Sequence, residues 1–279
     1  MATALTARRV LPGFGPTMGL TLFYLSLVVL LPLVALALKT GELGFARYIE
    51  IITGPRTLAA FRVTITAALV ATAINAGIGL LLAWNLVRYD FPGKRLLDAL
   101  IDLPFALPTA VAGIALTALF APNGWFGAPL AALGIKVAYT QLGIAIAMAF
   151  TSLPFVVRTV QPVLEDIRPE VEEAGASLGA TDWQIFARII FPTILPAFIA
   201  GCTLAFARSL GEFGAVIFIA GNLPEQTEIA ALLIFIRLEE YDYPAAAAIA
   251  STVLVAALLV LIAANWLQAR SLRHSEKNS

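Results

Sequence analysis

Ile167–Pro192 reads IRPEVEEAGASLGATDWQIFARIIFP and is the longest polar interruption in the second half of an otherwise apolar chain. Pro169 suits the first turn of a helix, where its missing N–H costs nothing. Glu170, Glu172 and Glu173 follow at the end where the helix dipole favours negative charge. Gly179 is placed to stop that helix by taking a left-handed conformation. Val171, Ala174, Gly175 and Leu178 fall at i, i+3, i+4 and i+7 and give one low, weakly apolar face. Thr181 stands three residues before Gln184, a capping-box spacing that starts a second helix running toward the next apolar span. A helix, a sharp turn and a second helix between two membrane spans make a knob that a soluble partner can grip. The competing reading is an amphipathic loop lying on lipid headgroups, although the face is small and acidic rather than basic.

The surroundings of that stretch are those of a membrane protein. Of 279 residues, 60% are hydrophobic and only 13% charged, too few charges to cover a soluble domain of this size. Lys+Arg and Asp+Glu are equal at 18 each, so no basic surface is offered to nucleic acid. One cysteine, Cys202, sits in an apolar run, which excludes a disulfide within the chain and fits a buried thiol. The one histidine, His274, has no companion for a metal site or a catalytic pair.

Apolar segments predict an all-α membrane protein with six transmembrane helices, at about 17–38, 58–87, 100–120, 139–160, 194–219 and 245–267. The first is too long for a signal-peptide core and is followed by Lys39 and Thr40 rather than a small-x-small cleavage site. Asn75 in the second span is expected to hydrogen-bond to a neighbouring helix, and Arg62 to snorkel near its outer end. Pro104 and Pro108 predict a kinked or broken inner end for the third span, with its freed backbone groups covered by protein or by a water-filled space. Six spans put both termini on one side. The N-terminus, the second-to-third connection, the knob region and the tail hold eleven of the 18 Lys/Arg, which places those segments in the cytoplasm. The expected organisation is a cytoplasmic segment 1–16, a membrane domain 17–269 with a cytoplasmic loop at about 163–192, and a cytoplasmic tail 270–279.

No Gly-x-x-x-x-Gly-Lys-Ser/Thr phosphate loop occurs, so the chain is not itself an ATPase. A Gly-x-Ser-x-Gly nucleophile turn and clusters at metal-ligand spacing are also absent from the sequence, and no cofactor is implied. The fifth span carries Arg208-Ser209-Leu210-Gly211-Glu212-Phe213-Gly214. Arg208 and Glu212, four apart, share a helix face and can neutralise each other. An ionisable residue inside the membrane is a functional candidate by default. The two readings are a translocation path, with Arg208 attracting an anion and Ser209 and Gly211 presenting donors, or a structural ion pair that locks the helix to a neighbour.

Glu173-Ala174-Gly175, then Gly179, then Ile189 and Pro192, resemble the signature loop of the permease subunits of bacterial binding-protein-dependent ABC importers. That pattern runs Glu-Ala-Ala, three residues, Gly, nine residues, Ile-x-Leu-Pro. Here Gly175 replaces the second Ala and Phe191 the Leu; both keep the character of the face. Leu103–Gly113, Arg88–Arg95, Ala207–Ala215 and Ala220-Gly221-Asn222 are similar to the sulfate/thiosulfate and molybdate branch of these permeases, and most to its T-type sulfate/thiosulfate subunits. The resemblance implies a type I ABC importer permease fold in the bacterial inner membrane and a non-catalytic subunit that couples to its ATPase through Glu173, Ala174, Gly175, Gly179, Ile189 and Pro192. It also implies two copies of a cytoplasmic ATPase, a second homologous permease subunit and a periplasmic sulfate-binding protein as partners. A molybdate or tungstate permease is the neighbouring alternative. An ATPase-independent transporter or channel, or a membrane scaffold, is the alternative of another class.

Overall fold

The computed structural model describes residues 14–275. Residues 1–13 and 276–279, with Arg8, Arg9 and Lys277, lie outside the described residues, as do the side chains of Arg270, Arg273 and His274. The described residues form helices and no strand: α1 (Phe14–Gly41), α2 (Phe45–Thr53), α3 (Pro55–Arg88), α4 (Lys94–Ile101), α5 (Leu103–Ala106), α6 (Thr109–Phe120), α7 (Gly127–Ala132), α8 (Gln141–Glu165), α9 (Pro169–Ser177), α10 (Asp182–Leu210), α11 (Val216–Ile219), α12 (Ala230–Glu239) and α13 (Tyr243–Ser275).

Five of these, α1, α3, α8, α10 and α13, are long and apolar enough to cross a membrane. The third span has the broken end that Pro104 and Pro108 predict. It breaks after Ile101 and again at Leu107, which is extended (φ −80°, ψ 135°) because it precedes Pro108. What remains is α6, 12 residues long, which rises only about 18 Å against a hydrocarbon core of about 30 Å. The fifth span also differs from expectation. It begins at Asp182 rather than Ile194, so the second helix of the knob and the span are one rod, and it ends at Leu210. Gly211 then turns the chain back toward α11.

Two π-helical turns, Ser26–Leu30 in α1 and Phe186–Ile190 in α10, each end two residues before a proline, Pro32 and Pro192. A proline ring collides with the carbonyl four residues back, here Val28 and Arg188. Both carbonyls lie inside the widened turn, which moves them out of the way and keeps each helix continuous.

The core is a three-helix contact of α3, α8 and α10 in which Ile144, Met148, Leu164 and Ile194 are fully buried. Small residues bring the backbones together. A Cβ on Gly79 would stand 2.9 Å from Val156 Cβ, and one on Gly201 would stand 2.9 Å from Val156 Cα, so both α3 and α10 press on one turn of α8. α6 packs against the segment that follows α10, where Gly113 and Gly214 make the closest approaches. α1 has no buried residue and contacts α13, with Thr40 Oγ1 donating to the Ala247 carbonyl at 3.3 Å.

Candidate functional site

The knob has the form its residues dictate. Pro169 stands at the start of α9, and Glu170 and Glu172 lie in its first turn. Gly179 takes φ +84°. Its N–H donates to the Ala176 carbonyl at 2.9 Å, and the Ala180 N–H reaches back to Gly175 at 3.1 Å, a Schellman closure that satisfies the last carbonyls of the helix. One residue later the capping box is complete: Gln184 N–H donates to Thr181 Oγ1 at 3.3 Å, and Thr181 N–H donates to Gln184 Oε1 at 2.9 Å.

Gly175 is the buried contact of α9, 3.2 Å (for an added Cβ) from Ile185 Cγ1 and from Ile189 Cδ1 of α10. It therefore faces α10, while Glu173, Ala174 and Gly179 are exposed, as is Pro192; Ile189 is half-buried beneath α9. Leu178 (89% exposed) and Trp183 (72% exposed) add apolar surface to the knob. A groove of about 650 Å³ runs between the end of α3 and the knob, lined by Leu81, Trp84, Glu173, Ala176, Trp183 and Phe186 among others. Trp84 meets Phe186 edge-on at 5.4 Å, and Phe186 stacks on Trp183 at 5.6 Å.

The second constellation lies where α10 ends. Arg208 Nη1 and Glu212 Oε2 are 2.7 Å apart, and Glu212 is buried. The other carboxylate oxygen accepts the Ala215 N–H at 2.9 Å, so one side chain both neutralises Arg208 and caps the turn after α10. Ser209 faces the opposite way, into the helix contact. Its hydroxyl lies 2.8 Å from the Ala205 carbonyl and 3.2 Å from Ser152 Oγ. Asn75 Nδ2 donates to Ser152 Oγ at 2.9 Å and to the Ala149 carbonyl at 3.0 Å. Asn75, Ser152 and Ser209 thus tie α3, α8 and α10 together, and the expected interhelical bond from Asn75 is present. Gly211 is exposed with open space beside it. Of the four residues expected around a path, Arg208 and Gly211 have open surface and Ser209 and Glu212 do not.

Residues 75–273 match the family described as the inner membrane component of binding-protein-dependent transport systems. The chain belongs to that family. This permease is 58% identical to the sulfate transport system permease protein CysT of Escherichia coli K12 over 267 residues, 96% of each chain. It is 57% identical to the Salmonella typhimurium LT2 protein of the same name over 267 residues, again 96% of each chain. It is 47% identical to that of a Synechocystis strain over 248 residues, 89% of this chain and 87% of the other. Among solved structures, it is similar to a chain of a bacterial alginate ABC transporter in complex with an alginate pentasaccharide-bound periplasmic protein. That match has a TM-score of 0.75 at 18% identity, over 91% of this chain and 93% of the other. A chain of the inward-facing MetNI methionine ABC transporter matches with a TM-score of 0.57 at 14% identity, over 77% and 93%. These likenesses establish the fold: an all-helical, multi-pass permease of the type I ABC importer class.

The permease holds further functional candidates that sequence reasoning did not find. Arg158 on α8 grips Asp102 with two nitrogens, at 2.8 and 2.6 Å, and Asp98 Oδ1 at 2.6 Å. This pins the broken end of the expected third span to α8. Asp98 and Asp102, one helical turn apart beside a proline break, were the available signal. Arg88 pairs with Glu172 across the knob, and nothing in local sequence links two residues so far apart.

Proposed function

We propose that this permease forms half of the membrane path of an ATP-driven importer of sulfate or thiosulfate and passes to that path the motion of a cytoplasmic ATPase. The observation that carries the substrate is the identity of 58% along nearly the whole of a sulfate permease. In this reading both termini and the α9 knob are cytoplasmic, supported by the eleven Lys/Arg on that side. Two ATPase subunits dock on the knob of this chain and on that of a second, homologous permease subunit, and a periplasmic binding protein delivers the anion to the outer loops. Glu173, Ala174 and Gly179 are the exposed coupling residues. Gly175, Ile189 and Pro192 set how α9 sits on α10. Arg208 is the path candidate, held by Glu212 and seated on the Ser209 network.

The test is uptake of labelled sulfate, with molybdate as competitor, in cells that lack their own sulfate permease and carry the full set of subunits. ATP-dependent uptake lost in Gly179→Asp, with the protein still in the membrane, is the expected result. Undiminished uptake in that variant overturns the coupling role of the knob. Preference for molybdate keeps the machine and moves the chain to the molybdate branch. Uptake that needs no ATPase overturns the importer reading altogether.

A further inference from the structure

We propose that Arg88 and Glu172 form a positioning clip that fixes the angle of the coupling helix α9 against the inner end of α3, so that α9 acts on α3 as well as on α8 and α10, to which the chain already joins it. The inference rests on the reading of α9 as the ATPase-docking element.

α9 is only nine residues long, and Gly175 is its one buried residue. Through Gly175 it touches α10, the four-residue reversal 178–181 joins its end to α10, and residues 166–168 join its start to α8. A helix held that way can pivot about its glycine, because Gly175 offers no side chain to interlock. The chain links at its two ends do not fix that pivot, and a side-chain attachment is needed to set it. Glu172, one turn before Gly175, supplies it by pairing with Arg88 at the last residue of α3.

The reach of α3 explains why Arg88 is available. Its 34 residues rise about 51 Å, well beyond a hydrocarbon core of about 30 Å. The helix therefore outruns the core, and the ion pair with Glu172 sets its last turn beside the knob. The Arg88 guanidinium carbon lies 5.5 Å from the Trp84 ring centre. Trp84 in turn is edge-on to Phe186 in the π-helical turn of α10. The cation is thus confined between an aromatic face and a carboxylate, both side chains being less than one third exposed. An ion pair confined in this way loses little further freedom on forming and is screened less than a surface pair. Thirteen residues before Arg88 on the same helix, Asn75 enters the buried network with Ser152 and Ser209. A tilt of α9 pulling on Arg88 therefore acts along a continuous helix on the contact that seats Arg208 and Glu212.

The pairing is a charge contact between Arg88 Nη2 and Glu172 Oε1, and neither of these atoms nor Arg88 Nε has a hydrogen-bond partner among the described residues. No two-pronged fork is formed, so a lysine, whose ammonium is also attracted to an aromatic face, keeps the charge the contact needs.

The experiment uses the complete importer in proteoliposomes, with sulfate imported per ATP hydrolysed as the readout and retention of the ATPase on purification as control. Arg88→Glu and Glu172→Arg, singly, are expected to lower sulfate per ATP by about fivefold or more, the range of an ordinary coupling energy. The double exchange Arg88→Glu/Glu172→Arg and the conservative Arg88→Lys are expected to restore at least half of it. Single variants with an unchanged ratio overturn the clip. So does a lowered ratio that the double exchange leaves as low as either single. Should the charge reversals fail to accumulate, Glu172→Gln, nearly isosteric, reads the same ratio. The coupling reading fails separately: Gly179→Asp with unchanged uptake removes it whatever Arg88 does.

Discussion

Arg208 and Glu212 meet at 2.7 Å as unequal partners, the carboxylate side chain 1% exposed and the guanidinium side chain 34% exposed. The inequality decides which loss is worse. Glu212→Gln keeps a carbonyl oxygen for the Ala215 N–H and leaves Arg208 partly in contact with water. Arg208→Gln leaves a buried carboxylate with no counter-charge. The expected cost of Arg208→Gln is about 2–3 kcal/mol, below the range for a wholly buried pair because Arg208 is one third exposed, and that of Glu212→Gln under about 1 kcal/mol. Thermal unfolding of the detergent-purified complex reads the order. A Glu212→Gln complex that melts lower than the Arg208→Gln complex contradicts it.

The broken third span depends on two glycines. A Cβ on Gly113 would stand 2.4 Å from the Ala215 carbonyl oxygen, and one on Gly214 would stand 2.1 Å from Thr109 Oγ1. Neither the Ala215 backbone, held by Glu212, nor the first turn of α6 can easily yield. Gly113→Ala is therefore expected to cost about 1–3 kcal/mol, the usual price of overpacking. It should lower the melting midpoint more than Gly77→Ala, since Gly77 has open space around it. Equal midpoints for the two alanine variants contradict the close contact.

Gly179 is constrained by conformation and not by room. Nothing lies within 4 Å of an added Cβ, yet φ is +84°. The left-handed region costs an ordinary residue about 1–2 kcal/mol, less for asparagine and more for a β-branched one. The expected order of cap strength is Gly, Asn, Ala, Val. Limited proteolysis of the 177–181 turn in membrane vesicles measures it. Valine as resistant as asparagine contradicts the order.

The parts of this architecture governed by neighbouring residues were legible in the sequence. Pro169, Gly179 and the Thr181/Gln184 pair fix the knob through contacts no more than five residues apart, and the structure reproduces all three. Asn75 announced an interhelical bond because an amide in an apolar helix must find a partner. The partners themselves, Ser152 and Ser209, depend on how three helices rotate against each other, which local pattern does not report. The third span was half legible: its two prolines announced the break, while its length as a span was overread. Hydropathy sums over Leu100–Phe120 without regard to backbone direction, whereas Pro104 and Pro108 break the helix twice and leave a 12-residue piece. The start of the fifth span was missed because the knob's polar residues lowered its hydropathy, although nothing stops the helix between Asp182 and Leu210.

Arg158 offers the test of how that broken end is held. Its guanidinium is bonded to Asp98, Asp102 and Gln161 at once. Removing it does more than delete those bonds, since Asp98 and Asp102 are left facing each other one turn apart without a cation. All three side chains are partly exposed, so water softens the loss. Arg158→Met is expected to destabilise by about 1–2 kcal/mol, enough to lower the amount of protein in the membrane several-fold. Replacing the acids as well, in Arg158→Met/Asp98→Asn/Asp102→Asn, removes the repulsion along with the attraction and is expected to recover most of that amount. Quantitative immunoblotting of membrane fractions compares them. If the triple variant accumulates no better than Arg158→Met, the hydrogen bonds themselves, and not the uncompensated charge, hold α4 and α5 to α8.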